Sequence, residues 1–438
     1  MKNKLPFTNS LLVLLILLEN ACLYYFFKLE WLTQGKNAWL YFLSSLFFGI
    51  VLINKFYNAS IVDNKPNVKQ GKVNIASYII LPLVLIGGLV WLGFLYEDLF
   101  LQIKLETGYS DIIPNIQLLC RRLLTGKYPY ARIDLNGYSM DVTYLPMHWL
   151  PFTIAEWLKI DYRWIVGSVW GIASILLLVR TLRVANLYIR TFIPLLLLAS
   201  NFVLFYNNNS IIAVTIELMI AAYYMLFITG LNQKSAFVQG LFISFCILSR
   251  YSLILWLPLY AFVLYVSGYK KSLLYTVLTV VVIVLVAYVI PFLSKDPSIL
   301  LKSYKEYDSG TFFEWNRMQT KGINKDKPLM LFSGTGFAYY FYTRFTELEV
   351  MMRMKLLQKV HLFCSLGVTV ILGIWFWFKR EKINVRIFLM GSFKIYLSVF
   401  LFLIQIPYEY LMTVGNFVTI AIFCEQARYS IKYKDQLV

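Results

Sequence analysis

The stretch Tyr144 to Leu158 reads YLPMHWLPFTIAEWL, and its placement decides the fold. It is apolar enough to be mistaken for a membrane crossing. Yet it is about 15 residues long, where a helix needs roughly 20 to span about 30 Å of hydrocarbon. It also carries His148, Glu156 and two prolines. The expectation is therefore a segment that lies on or dips into one membrane face.

Around it, the chain reads as membrane. Of 438 residues, 59% are hydrophobic and 15% charged, with mean hydropathy +0.64. An ordinary soluble domain carries about 25% charge. Apolar runs predict about twelve spans, at 10–27, 39–55, 77–96, 163–180, 192–206, 211–229, 236–248, 252–267, 273–292, 360–378, 387–406 and 408–424. The pair 236–248 and 252–267 can also be read as one helical hairpin broken at Arg250. The first run has no small-residue cleavage site after it, so it is expected to be retained.

With Tyr144–Leu158 held out of the membrane, the basic residues fall into order. Lys55, Lys65, Lys69 and Lys72, then Arg180, Arg183 and Arg190, then Lys270 and Lys271, then Lys379, Arg380, Lys382 and Arg386, and the tail cations Arg428, Lys432 and Lys434 all share one side. The opposite turns Asn207-Asn-Asn-Ser210 and Gln405-Ile-Pro-Tyr408 carry no Lys or Arg. This pattern predicts cytoplasmic termini and two outer loops, 97–162 and 293–359. Leu329–Tyr342, interrupted by Ser333-Gly-Thr-Gly336, is likewise expected not to cross. The organisation expected is an N-terminal helix pair (1–76), a module at 77–292, the second outer loop (293–359) and C-terminal spans (360–438). The net charge of +18 belongs to this orientation signal, and nucleic acid is not an expected partner.

Chemistry is expected in the first outer loop. Its polar elements are Gly108-Tyr-Ser-Asp111, Leu123-Leu-Thr-Gly126-Lys-Tyr-Pro129-Tyr130 and Tyr144-Leu-Pro146. A second block follows: Asn207-Asn-Asn209, Asn232-Gln-Lys234, Gly240–Leu248 and Ser249-Arg250-Tyr251. Read alone, Asp111 is a helix N-cap ahead of the amphipathic stretch Asn115–Leu124. Glu19, Glu217 and Lys394 lie inside apolar runs, where charges face protein or water. Glu19 and Lys394 are expected as a possible pair. The five cysteines give no disulfide framework, and two histidines in the chain argue against a His-based metal site.

These two blocks, in this order, resemble the GT-C class of polytopic glycosyltransferases, most closely the polyprenol-phosphate-mannose-dependent family (glycosyltransferase family 87). The resemblance covers roughly 77–292. Asp111 stands one residue further from its Gly than the family pattern, Arg250 replaces a Lys, the following Pro is displaced to Pro258, and a Gln is missing near Asn209. The resemblance implies a GT-C-like all-α bundle with juxtamembrane helices, in the inner or plasma membrane, with its site on the outer face. It implies an inverting transfer of a sugar, mannose by resemblance, from a polyprenyl phosphate to a glycolipid, glycan or protein hydroxyl, without nucleotide sugar. Asp111 is then the general base. Arg250, His148 and Arg121 are the expected contacts for donor phosphate or lipid. Asp134, Asp141, Tyr130, Tyr144 and Arg317 are the expected acceptor or loop contacts. No metal ligands are expected, although the class leaves a divalent metal open. The rival readings are a flippase or transporter for a lipid-linked saccharide, and a lipid-linked glycan polymerase or ligase.

Overall fold

The computed structural model describes residues 4–24, 36–57, 59–63, 75–135, 137–184, 186–321, 324–332 and 335–433. Lys65, Lys69, Lys72, Lys434, Ser333-Gly334 and the end of the first expected span lie outside them. The described chain is helical, with two short two-stranded ribbons as its only sheets. Among the described residues, seven helices are long and apolar enough to cross a membrane. In lipid a backbone must satisfy its own hydrogen bonds, and apolar runs of this length do so only as helices.

The chain begins with α1 (Lys4–Tyr24), α2 (Lys36–Lys55), β1 (Ala59–Asp63) and α3 (Ile75–Gln102). The first large loop holds α4 (Ile112–Leu124) and the hairpin β2 (Ile133–Leu135) and β3 (Tyr138–Met140). Tyr144–Leu158 then folds as α5 (Pro146–Trp149), a 3-10 turn at Leu150–Phe152, and α6 (Thr153–Leu158). Pro146 opens the first piece and Pro151 falls in the 3-10 turn, so the segment is three short helical pieces rather than one long helix.

Next come α7 (Arg163–Thr181) and α8 (Leu187–Val214). The expected turn at Asn207–Ser210 is not a turn. The helix continues through it with a kink at Asn208 (φ −144°, ψ 49°) and ends at Val214, where α9 (Glu217–Leu231) begins. The next pieces are α10 (Ala236–Ile247), an extended Arg250, a 3-10 turn at Tyr251–Trp256, and α11 (Leu257–Val266). Thus the break expected at Arg250 is present. Then follow α12 (Lys270–Val284), which passes into a π-helical stretch at Leu285–Leu293, and α13 (Ile299–Asn316).

In the second loop only α14 (Ala338–Arg344) falls in the 329–342 stretch, and it is too short to cross. Gly336 lies against Pro407: a Cβ there would stand 2.4 Å from the Pro407 ring. The bundle closes with α15 (Val350–Lys379), α16 (Val385–Phe402), α17 (Glu409–Ala427) and β4 (Tyr429–Tyr433). Helix α15 starts ten residues before the expected span, and at about 1.5 Å per residue it is too long for the hydrocarbon alone. Helix α9 is buried along its full length and packs on α17, which is buried from Met412 to Gln426.

The bundle has two distinct ends. At one, β1 pairs antiparallel with β4. Lys55 donates to Asn9 and Gln426, both at 2.6 Å, and Asn232 donates to Glu425 at 2.7 Å. This ribbon end gathers connections expected inside. The loop end gathers residues 97–162, the Arg250 break, α13 and the turn at 405–410.

Candidate active site at the loop end

Helix α4 buries Ile113, Ile116 and Leu119, and this packing fixes where Asp111 sits. Asp111 occupies the N-cap position, but its side chain makes no capping bond. Ser110 Oγ instead accepts from the Ile112 amide at 3.3 Å. The half-buried Asp111 carboxylate acts electrostatically on the Tyr408 phenol, as do Glu314 and Arg317.

The loop motifs support one another. The buried Tyr130 donates to the Tyr144 carbonyl at 3.0 Å and accepts from Trp149 Nε1 at 3.2 Å. Its hydroxyl is thus a strut. Tyr144 stacks on His148, with ring centroids 4.8 Å apart and 15° between planes. The Met147 amide donates to the Leu248 carbonyl at 2.8 Å, which brings His148 against the Ser249 backbone. The Tyr144-Leu-Pro146 motif is therefore docked on Ser249-Arg250-Tyr251, about a hundred residues later in the chain. Burial first, and the Arg250 charge second, push His148 down to about 3. It is neutral at physiological pH, with one ring nitrogen a donor and the other an acceptor.

Arg250 leaves α10 in extended conformation (φ −152°, ψ 148°) and pairs with Glu217, the first residue of α9. A helix N-terminus favours a carboxylate. The guanidinium is 19% exposed and the carboxylate 2%. Arg250 therefore meets the site already neutralised.

The two halves are joined by the turn at 405–410. Tyr408 and Tyr410 stack with centroids 4.9 Å apart. Tyr408 senses Asp111, Tyr307, Glu314 and Arg317, while Tyr410 senses Glu217, Arg250 and Tyr144. Gln405 braces the turn: its side chain accepts from Tyr307 at 3.2 Å and meets His361 at 3.0 Å, and its carbonyl accepts from Trp315 at 3.0 Å. Asn208, at the α8 kink, donates to Glu409.

Asp111 and Arg317 thus act on Tyr408, and Arg250 and Tyr144 on Tyr410, while His148 joins them through its stack on Tyr144. The other expected residues do not face these tyrosines in the same way. Arg121 is 61% exposed and pairs with Glu156 at 3.0 Å. Asp134 is exposed on the β2–β3 hairpin, where it acts on Arg122. The Asp141 amide donates to Glu306 Oε2 at 3.0 Å, part of the docking of α13. Sequence reading missed Tyr307, Tyr408, Tyr410 and Glu409. The signal available was Pro407-Tyr-Glu-Tyr410, aromatic and acidic, in a turn used only for its lack of Lys and Arg.

Among the described residues no three His, Cys, Asp or Glu side chains stand together in a way that could hold a metal ion. An apolar groove lined by Phe237, Tyr275, Leu278, Thr279 and Val282 opens between α10 and α12. It lies toward the ribbon end, away from Asp111. In comparisons with family models, curated proteins and solved structures, nothing matches this chain.

Proposed function

We propose that this multi-pass membrane protein is an inverting glycosyltransferase working at the outer membrane face. It moves a sugar, mannose by resemblance, from a polyprenyl phosphate to an acceptor hydroxyl, with Asp111 as general base. The observation that carries this reading is Asp111 itself. It stands at the start of α4, half-buried, in the field of Tyr408, on the turn that both motif blocks reach.

The chemistry asks little more. The acceptor oxygen attacks the anomeric carbon from the face opposite the phosphate, and its proton passes to the Asp111 carboxylate. The C1–O bond to phosphate breaks, and the electron pair leaves with the polyprenyl phosphate, which is a stable anion without protonation. A positioned base contributes about 10²–10⁴-fold to such a step. Arg317 is the cation available to the phosphate. Its pair with Glu314 is half exposed, at 3.3 Å, and surface pairs of this kind are worth about 0–1 kcal/mol, so an anion can displace it.

The test is transfer by the purified chain from defined polyprenyl-phosphate sugars to hydroxyl acceptors. The expected product has inverted anomeric configuration, and nucleotide sugars do not substitute for the donor. Translocation of a lipid-linked saccharide in proteoliposomes, with no transfer from any donor, would replace this reading with the transporter.

A further inference from the structure

The Glu217–Arg250 pair has the wrong electrostatics for a phosphate and the right ones for a polyol. One Glu217 oxygen is held by an Arg250 Nη atom. The other, Oε2, is buried and has no hydrogen-bond partner among the described residues. A guanidinium carries five N–H donors in a fixed fork, and Arg250 keeps part of its surface open. The pair therefore presents an acceptor beside donors, with no net charge.

Its surroundings are matched to this. His148 lies against the Ser249 backbone next to Arg250, and one of its ring nitrogens accepts. Tyr410 lies in the field of both members of the pair and of Tyr144. Each of these tyrosines presents a ring in a stacked arrangement, Tyr144 on His148 and Tyr410 on Tyr408. A few convergent polar groups between aromatic faces are what a small, neutral, hydroxylated ligand requires. An anionic phosphate at the same place would meet the unpartnered Glu217 oxygen.

We propose that Glu217 and Arg250 form a subsite for a sugar ring, holding two neighbouring hydroxyls, and do not form the phosphate site. The carboxylate accepts from one hydroxyl while the guanidinium donates to its neighbour. The Tyr144 and Tyr410 rings flank the C–H faces of the pyranose. Calling that ring part of donor or acceptor rests on the transferase reading; the subsite itself does not.

Binding to detergent-purified protein separates the two assignments. The sugar probes are methyl mannopyranoside, methyl glucopyranoside and methyl galactopyranoside, followed by saturation-transfer NMR. The phosphate probe is citronellyl phosphate, which carries no sugar. The variants are Glu217→Gln and Arg250→Lys, each checked by its melting profile. If Glu217→Gln fails to fold, Arg250→Lys carries the test alone. The wild type is expected to bind at least one glycoside, and the folded variants to weaken it roughly tenfold or more. Citronellyl phosphate affinity is expected to stay within about twofold. No glycoside binding by the wild type, unchanged glycoside binding in the variants, or loss of citronellyl phosphate in either variant would overturn the subsite. If the glycoside pattern holds in a protein that transfers no sugar from any polyprenyl phosphate, the subsite stands and the transferase reading falls.

Discussion

Two of the carboxylate–cation pairs in this bundle, Glu19–Lys394 and Glu217–Arg250, have different settings. Glu19 and Lys394 are both 0% exposed and meet at 3.1 Å. Thr419 donates to the same Glu19 oxygen at 2.7 Å, and Lys394 also reaches the Gly415 carbonyl at 3.2 Å. Glu217 and Arg250 are connected as directly, but Arg250 keeps a window on the loop end. The first pair is closed off between α1, α16 and α17 and can do nothing except hold them together. The second is open enough to meet a ligand. Burial of a charge in an apolar run is therefore a weak sign of function until its exposure and neighbours are known.

The largest effect should come from breaking the closed pair. Lys394→Met alone leaves Glu19 buried without a counter-ion, and loss of about 3–5 kcal/mol is expected. Glu19→Leu combined with Lys394→Met should recover most of it. The unfolding midpoint in detergent reads both. A single variant as stable as wild type would show that the pair is not closed off from water.

A smaller cost is expected at the open pair. Glu217→Gln leaves a guanidinium that can still turn to solvent, so the loss should be about 1–3 kcal/mol, below that of Lys394→Met. The same melting series compares them, and the reverse order would erase the contrast drawn here.

The smallest effect is a pH slope. His148 has a folded pKa of about 3, below its ordinary 6.5, so the unfolded chain binds the proton first. Its contribution is complete above about pH 6.5 and is lost as pH falls from there toward 3. Arg250, which lowers it, and Glu217, paired with Arg250, are the charges beside it. His148→Gln should flatten the acid side of the stability profile by at most one proton. An unchanged slope would place His148 in water.

Much of this was legible in advance. The prolines of Tyr144–Leu158 foretold a segment broken into short pieces, and it folds as three. Glu19 and Lys394 were a guessed pair, picked out only because both lie in apolar runs, and they do meet. The kink at Asn208 was not legible. Three asparagines read as a turn, but Asn208 bonds Glu409 from across the bundle and the helix continues. The early start of α15 was hidden for another reason. Val350–Lys359 is charged, and hydropathy detects lipid contact, not helix. Tyr408 and Tyr410 were passed over because the aromatic, acidic Pro407-Tyr-Glu-Tyr410 gains its role from position: a turn between α16 and α17 that reaches both halves of the site.

The central claim is that Asp111 takes a proton. Asp and Asn cap helices about equally well, so Asp111→Asn preserves any structural role while removing the base. The measurement is the rate of sugar transfer by purified Asp111→Asn from a polyprenyl-phosphate donor that the wild type uses, with melting as the check on folding. The account predicts a loss of roughly 10²-fold or more in a folded protein. A folded Asn variant that transfers sugar at nearly the wild-type rate would contradict it.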